Sequence, residues 1–359
     1  MTPARADAFP EGLAPMLAKL EPEMPVGEGW TYEPKWDGFR TLVVLAEDGE
    51  TRLLSRDGRP LGRYFPEVVA LVAKAGSPFV ADGEIVRVRD GSMEFDELQL
   101  RLHPAESRVR KLSTEIPASL VVFDLLREGD EALAARPLSE RRERLGAMAD
   151  RLGWALAPGE LGSMPPPPSV LVAPWTVDPQ VARGWFADEQ GLGQDGVLAK
   201  RADQVYRAGQ RGWVKVKHRR TLDVVIGGYR LSKGGDGIGA LLLGLYDDAG
   251  VLHYVGHTSS FKAAERRAML AELRQLEGDG GFEQGRAPGG PSRWTGGKDP
   301  EWVGLKPVLV CEVTIDRMQY GRFRHAATFV RWRDDREPRS CTFEQLGVEP
   351  PVWPGAQAD

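Results

Sequence analysis

The apolar pattern of this chain changes character once, near Arg220, and that single change limits it to two unlike domains in succession. Between about residues 28 and 217, strand-like and helix-like stretches alternate. Residues 41–45, 78–88 and 119–126 are rich in Val, Ile and Phe and read as strands, whereas 65–74 and 139–151 read as helices. A third helix is predicted over 178–190, with Asp178 as its N-cap, Pro179 in its first turn and Gly191 as its stop. Beyond Arg220 the strands follow one another directly, at 222–230, 240–246 and 252–258, with Asp247-Asp248-Ala249-Gly250 as a hairpin connection. A charged amphipathic helix over 261–276 follows, and two further strands, 308–316 and 326–333, close the set. The Gly-rich stretch 277–304 is predicted to be a surface loop.

Three strands, a helix and two strands is the order of an OB-fold, a five-stranded barrel often used on nucleic acid. The expected class is therefore α+β, with antiparallel sheets and flanking helices first and an OB-fold barrel second. Boundaries are expected at 1–218 and 219–349, with a tail over 350–359; a length of 359 residues suits two domains with sizeable cores. An apolar content of 42% beside 28% charged residues is that of a soluble globular chain, and no apolar run reaches the roughly 18 residues of a membrane span. The first ten residues lack an apolar signal core, and the two cysteines, Cys311 and Cys341, make neither a disulfide framework nor a zinc site. A reduced cytoplasmic location and no membrane partner are expected. The net charge of −5 argues against a nucleic-acid partner only until its distribution is read. Over 200–220, Lys200, Arg201, Arg207, Arg211, Lys215, Lys217, Arg219 and Arg220 face one acid, Asp203, a stripe able to contact phosphates.

The first domain carries the chemistry. Glu33-Pro34-Lys35-Trp36-Asp37-Gly38-Phe39-Arg40 contains the spacing Lys-x-Asp-Gly-x-Arg. A lysine amine can attack phosphorus and hold a nucleotide covalently once it has lost its proton, which nearby cations or desolvation would promote. Gly38 could let a phosphate approach the backbone. Lys215 and Lys217, two apart on a strand, face one side of a sheet and suit an α-phosphate, where their charge would help deprotonate Lys35.

Downstream come Ser55-Arg56-Asp57-Gly58, Asp82-Gly83-Glu84, Val122-Phe123-Asp124, Asp195-Gly196-Val197-Leu198-Ala199-Lys200 and Trp213-Val214-Lys215-Val216-Lys217. Pro15-Met16-Leu17-Ala18 precedes the lysine, and Phe329-Val330-Arg331-Trp332-Arg333 comes late. In this order the series resembles the covalent nucleotidyltransferase superfamily, above all the small two-domain bacterial ATP-dependent DNA ligases of the C type, over about residues 13–345. The resemblance implies a lysyl-adenylate on Lys35 formed from ATP, sealing of 5′-phosphate/3′-hydroxyl nicks in double-stranded DNA, and a role in DNA repair. It implies that Phe123 stacks on adenine, Glu84 bonds the ribose hydroxyls, Arg40 and Arg56 hold ribose or phosphate, and Glu33 lies beside the adenine edge. Arg211 is a weaker carry-over, because its loop to Lys215 is shorter than in many relatives. Mg²⁺ or Mn²⁺ is expected on Asp195, where many relatives carry Glu, with Glu84 as a second ligand. Arg331, Arg333, Asp335 and Arg336 are expected to orient the pyrophosphate; Arg336 stands where relatives usually have Lys. A monomer close to the nucleoid is expected, with repair polymerases or end-binding proteins as candidate partners. An RNA ligase or capping-type guanylyltransferase shares the lysine motif, and a non-catalytic OB-fold binder would show DNA binding with no covalent nucleotide.

Overall fold

The computed structural model describes residues 14–158, 163–186, 196–217, 220–278, 282, 301–316, 318–319 and 321–346. The chain divides into two compact units, 1–218 and 219–359.

Two sheets make the first unit. The larger runs Ala155–Leu156, Val170–Val172, Ser119–Glu128, Phe79–Val86, Phe39–Leu45, Thr51–Ser55, with Glu131–Ala132 paired beside it. Period two sorts its side chains. Val43, Leu45, Ala81, Ile85, Leu120 and Val122 point to one face and pack with Val68, Leu98, Leu145 and Met148 of the helices Pro66–Ala73, Phe95–Leu100 and Leu138–Leu152. Leu42, Val44, Val80, Val121 and Phe123 point to the other face and meet Met16, Tyr206 and Trp213. Each such side chain, fully buried, stabilises the fold by about 1.5–3 kcal/mol before chain entropy is set against it.

The smaller sheet runs Leu17–Leu20, Arg211–Val216, Val197–Arg201, Trp30–Pro34. Its Tyr32, Val197 and Ala199 pack against Ala182 of the helix Pro179–Phe186. That helix begins as its sequence requires: the Asp178 carboxylate accepts the Gln180 N–H at 2.7 Å. Its expected end, near Gly191, lies outside the described residues. The opposite side of the sheet presents Trp213 to the core shared with the large sheet. Neither sheet is wholly antiparallel: Leu17–Leu20 joins Arg211–Val216 in parallel, and Val170–Val172 joins Ser119–Glu128 in parallel. Short strands of this kind carry too few residues for an alternating pattern to show in the sequence.

Helix Leu138–Leu152 contributes two consecutive buried arginines. Arg141 clasps Asp124 through Nε–Oδ1 at 2.7 Å and Nη2–Oδ2 at 2.8 Å. Arg142 donates to the Phe123 carbonyl at 2.9 Å and the Ala173 carbonyl at 2.6 Å. Phe123 is thereby fixed by its own backbone as well as by packing.

The second unit is a closed barrel. Its strands run Leu252–Thr258, Ile238–Tyr246, Arg220–Leu231, Val310–Ile315, Thr328–Trp332. The first and last are joined by a bridge between Thr258 and Ala327, with the Ala327 N–H on the His257 carbonyl at 2.9 Å. First strand beside fourth and third beside fifth is OB-fold connectivity, with the helix Ala263–Leu273 between the third and fourth. The Asp247–Gly250 turn closes as read, the Gly250 N–H donating to the Asp247 carbonyl at 3.0 Å. The expected loop over 277–304 is corrected at its end, where Val303–Gly304 forms a short strand against Gly228 and Tyr229; residues 283–300 lie outside the described residues.

Two glycines of the first unit should respond oppositely to alanine. Gly146, inside helix Leu138–Leu152, has open space where a Cβ would go, so Gly146→Ala should raise stability by about 0.5–1 kcal/mol. At Gly196, φ is +119° and a Cβ would fall 1.9 Å from the Val216 carbonyl oxygen; Gly196→Ala should cost about 1–3 kcal/mol. Urea titration followed by tryptophan fluorescence would show the two midpoints moving apart; a shared direction would contradict this account of the backbone.

Candidate active site

Lys35 leaves the strand Trp30–Pro34 with its backbone pinned: its N–H donates to the Gly196 carbonyl at 2.9 Å. The neighbouring registers place what lies around it. Glu33, Leu198 and Lys215 stand in one row across three strands, and Pro34, Val197 and Val216 in the next. Residues opposed in adjacent strands share a face, so Glu33 and Lys215 point the same way. Continuing by one residue puts Gly196 between Lys35 and Lys217, two strand spacings or about 10 Å apart at the backbone. Two long side chains can span that gap to one phosphate. Gly196 makes this approach possible, because only its missing Cβ lets the Val216 carbonyl lie where it does.

Facing this row, the large sheet presents Arg40, Asp82, Glu84 and Phe123, all on one face by alternation. Arg40 and Glu84 are direct cross-strand partners. Gly38, before Arg40, is explained differently from the phosphate approach the sequence suggested: a Cβ there would lie 2.0 Å from the Ile85 carbonyl oxygen, so glycine is needed for strand packing. Its N–H donates to Glu84 Oε1 at 3.2 Å.

Electrostatics dominate the space between the sheets. Arg40 grips the fully buried Asp82 through Nε–Oδ1 at 2.5 Å and Nη2–Oδ2 at 2.6 Å. Burial alone pulls the Arg40 pKa down; Asp82 beside it more than reverses this, and the net direction is up. Burial pushes the Glu84 carboxyl up to about 7, opposed by the positive charges of Arg40 and Lys35 and assisted by Asp37 and Asp82. Lys35 is thus close enough to Glu84 for the two charges to act on each other.

Lys200 is the residue the sequence misplaced. It was read within a basic stripe able to contact phosphates, yet it is fully buried and bonds Glu33 Oε2 at 2.6 Å. Burial lowers its pKa, with Glu33 opposing. Its amine sits 4.6 Å from the Phe123 ring centre and 4.2 Å from that of Trp213, while the Arg40 guanidinium sits 4.8 and 4.9 Å from the same two rings. Phe123, expected to stack on adenine, is therefore 3% exposed with two cations over it. Glu33 is engaged by its side chain with Lys200, a partner that its expected backbone contact did not suggest. Tyr206 and Met16 also close on this site; Met16 stood in one of the quoted motifs, but no contact between the two was expected: the Met16 N–H donates to the Tyr206 hydroxyl at 2.8 Å.

Other expected residues lie further out. Arg56 is exposed in the turn after Thr51–Ser55 and pairs with Asp57 at 3.6 Å. Arg211 is exposed at the start of its strand. Asp195, the expected metal ligand, and Arg219 lie outside the described residues. Among the described residues no group of three His, Cys, Asp or Glu side chains could hold a metal ion.

Arg331, Arg333, Asp335 and Arg336 belong to the second unit, where carboxylates engage them. Arg331 Nε bonds Glu312 at 2.7 Å, and Arg333 Nη1 reaches both Asp223 oxygens at 2.8 and 3.0 Å. The other edge of Arg333 meets Asp335 at 2.8 and 2.9 Å, which holds the Asp335 carboxyl down near 2. Arg336 lies 3.5 Å from Asp223.

A lysine pinned beside Gly196, on the same sheet face as Lys215 and Lys217, in a unit followed by an OB barrel is the architecture of a nucleotidyltransferase, and comparison with known proteins gives its family. Residues 15–217 match the ATP dependent DNA ligase domain and residues 234–336 the ATP dependent DNA ligase C terminal region. The chain belongs to the ATP-dependent DNA ligases. It is 45% identical over 353 residues to DNA ligase C2 of Mycolicibacterium smegmatis, covering 94% of this chain and 95% of that relative. It is 33% identical over 351 residues to the multifunctional non-homologous end joining protein LigD of Pseudomonas aeruginosa, covering 96% of this chain and 38% of that one. A solved Lig E DNA ligase structure, 18% identical with a TM-score of 0.55, covers 90% of this chain and 100% of its own and shares the fold. Among the described residues no helix is long and apolar enough to cross a membrane.

The raised Glu84 carboxyl makes a pH prediction for the nucleotide-free protein. Its folded pKa of about 7 lies above the ordinary 4.5, so the folded state holds the proton more tightly. The ionised form is what folding penalises: the cost is absent below about pH 4.5, grows between there and pH 7, and is complete above. Glu84→Gln removes it. The variant should match wild type at pH 4 and exceed it by about 1–3 kcal/mol at pH 8. Thermal melts at both pH values check this; an equal difference at the two would show that Glu84 does not titrate in that range.

Proposed function

We propose that this ligase seals 5′-phosphate/3′-hydroxyl nicks in double-stranded DNA through an adenylate carried on Lys35. The Lys35 amine, having given up a proton, attacks the α-phosphorus of ATP; an N–P bond forms, the bond to the bridging oxygen breaks, and pyrophosphate leaves. A nick 5′-phosphate oxygen then takes the AMP, releasing Lys35. Attack by the 3′-hydroxyl on that 5′-phosphorus closes the strand and expels AMP. Charge accumulates on phosphate oxygens throughout, so fixed cations matter more than acid–base groups. The observation that most supports this reading is that Glu33, Lys35, Lys215 and Lys217 lie on one face of the small sheet, with Gly196 between Lys35 and Lys217.

In this reading Lys215 and Lys217 take the α-phosphate, Arg40 and Arg56 the ribose or phosphates, Glu84 the ribose, and Phe123 the adenine once the cations over it yield. Arg211 stands at the rim of the same face. Arg331, Arg333 and Arg336, with Asp335, orient the pyrophosphate, exchanging carboxylates for phosphate oxygens. A hard cation, Mg²⁺ or Mn²⁺, suits Glu84: a carboxyl raised by burial gains from a cation beside it, and oxygen is the preferred donor. Asp195 would complete that set. When bound, the ion neutralises charge on the triphosphate. The likeness to an end-joining relative supports DNA repair as the setting, with the enzyme acting as a cytoplasmic, nucleoid-associated monomer alongside repair polymerases or end-binding proteins.

The test is covalent labelling. With α-labelled ATP and a divalent cation, wild type should retain label on a denaturing gel and Lys35→Ala should retain none while keeping its circular dichroism spectrum. GTP should label wild type far less than ATP. Normal labelling of a folded Lys35→Ala protein would remove Lys35 from the nucleophile's role.

A further inference from the structure

Four groups from distant parts of the sequence form a closed ring behind Arg40. The Tyr206 hydroxyl donates a short hydrogen bond to Asp82 Oδ2 and accepts the Met16 N–H at 2.8 Å. Asp82, wholly buried, takes Arg40 Nε and Nη2, and the same Nη2 donates to the Met16 carbonyl at 3.2 Å. The ring therefore runs from Met16 N–H to Tyr206, Asp82, Arg40 and back to the Met16 carbonyl. Its members come from the segment entering the strand Leu17–Leu20, from two central strands of the large sheet, and from the connection between the strands Val197–Arg201 and Arg211–Val216.

Donor arithmetic shows what the ring leaves over. A guanidinium has five N–H groups. Here Nε–H and one Nη2–H serve Asp82, and the second Nη2–H serves Met16. The two Nη1 hydrogens make no hydrogen bond among the described residues. Without Tyr206, Asp82 Oδ2 would lose a buried donor and could rotate, carrying the guanidinium with it. Tyr206 is itself well anchored: its N–H donates to the Ala134 carbonyl at 2.8 Å, and its ring lies edge-on to Trp213 at 6.0 Å. Burial holds its hydroxyl far above the ordinary range, so it remains a donor at any working pH.

We propose that Tyr206 is a positioning residue of the ligase, which through Asp82 and Met16 fixes the Arg40 guanidinium so that Nη1 is presented to a ribose or phosphate oxygen of the nucleotide. This rests on the reading that Arg40 contacts the nucleotide. Tyr206 acts on the reaction only through Arg40, and the two residues should be coupled.

A double-mutant cycle on the full chain tests it, with the rate of self-adenylation at subsaturating ATP as the readout. Tyr206→Phe keeps the ring and removes one hydroxyl; it should lose about tenfold, the scale of one hydrogen bond to a charged group. Arg40→Lys keeps the charge and removes Nη1, and should lose at least as much. The double variant should be no worse than Arg40→Lys within about twofold, because the aim of an absent guanidinium no longer matters. A purely structural role for Tyr206 would multiply the two losses instead, and that result overturns the proposal, as does wild-type activity in Tyr206→Phe. If Tyr206→Phe does not fold by circular dichroism, Asp82→Asn takes its place in the same cycle with the same expected coupling. Normal self-adenylation in Arg40→Lys would show that the underlying contact is wrong; impaired Arg40→Lys with normal Tyr206→Phe would sink the positioning role alone.

Discussion

A carboxylate enclosed between two sheets needs a cation beside it, and the first unit is organised around that requirement. Removing a charge from water costs several kcal/mol unless a partner and hydrogen bonds replace the lost hydration. Asp82 has Arg40 and Tyr206, Glu33 has Lys200, and Asp124 has Arg141, in each case at short distance and deep burial. Glu84 is the less fully compensated member, and its carboxyl is raised accordingly. Such pairs are weak sources of stability, but each fixes a side chain in one position, and the fixed side chains line the face toward Lys35. In a reaction whose barrier is mainly charge on phosphate oxygens, cations already held in place need little reorganisation as that charge develops.

The same constraint sets cations over the aromatic side chains of the first unit. Arg40 and Lys200 both lie within 5 Å of the Phe123 and Trp213 rings, so two positive charges cover these rings. In the second unit, Arg333 is spanned by Asp223 and Asp335 in the same way, its charge neutralised by two carboxylates. In both places a cation is held in a neutral pairing.

Much of this was legible in the sequence, because period two is a local property. Arg40, Glu84 and Phe123 follow the alternation of clear strands, Lys215 and Lys217 share a face by spacing alone, and the strand–helix order beyond Arg220 specifies the barrel's connectivity. What was not legible depends on register between segments far apart. Lys200 has the composition of an exposed stripe; only the pairing of Val197–Arg201 with Trp30–Pro34 reveals that it turns inward onto Glu33. Tyr206 and Met16 are 190 residues apart, and nothing in either local pattern predicts their hydrogen bond. Gly38 was assigned to phosphate access because its motif suggested it, whereas the carbonyl it must clear belongs to a strand more than 40 residues away.

This charge-balanced face should carry one nucleophile, and peptide mapping of the adenylated protein shows which lysine it is. After incubation with ATP and Mg²⁺, digestion and tandem mass spectrometry should place the AMP adduct on Lys35, with the peptides carrying Lys200, Lys215 and Lys217 unmodified. An adduct on any of those three lysines, or none on Lys35 in an enzyme that seals nicks, would contradict it.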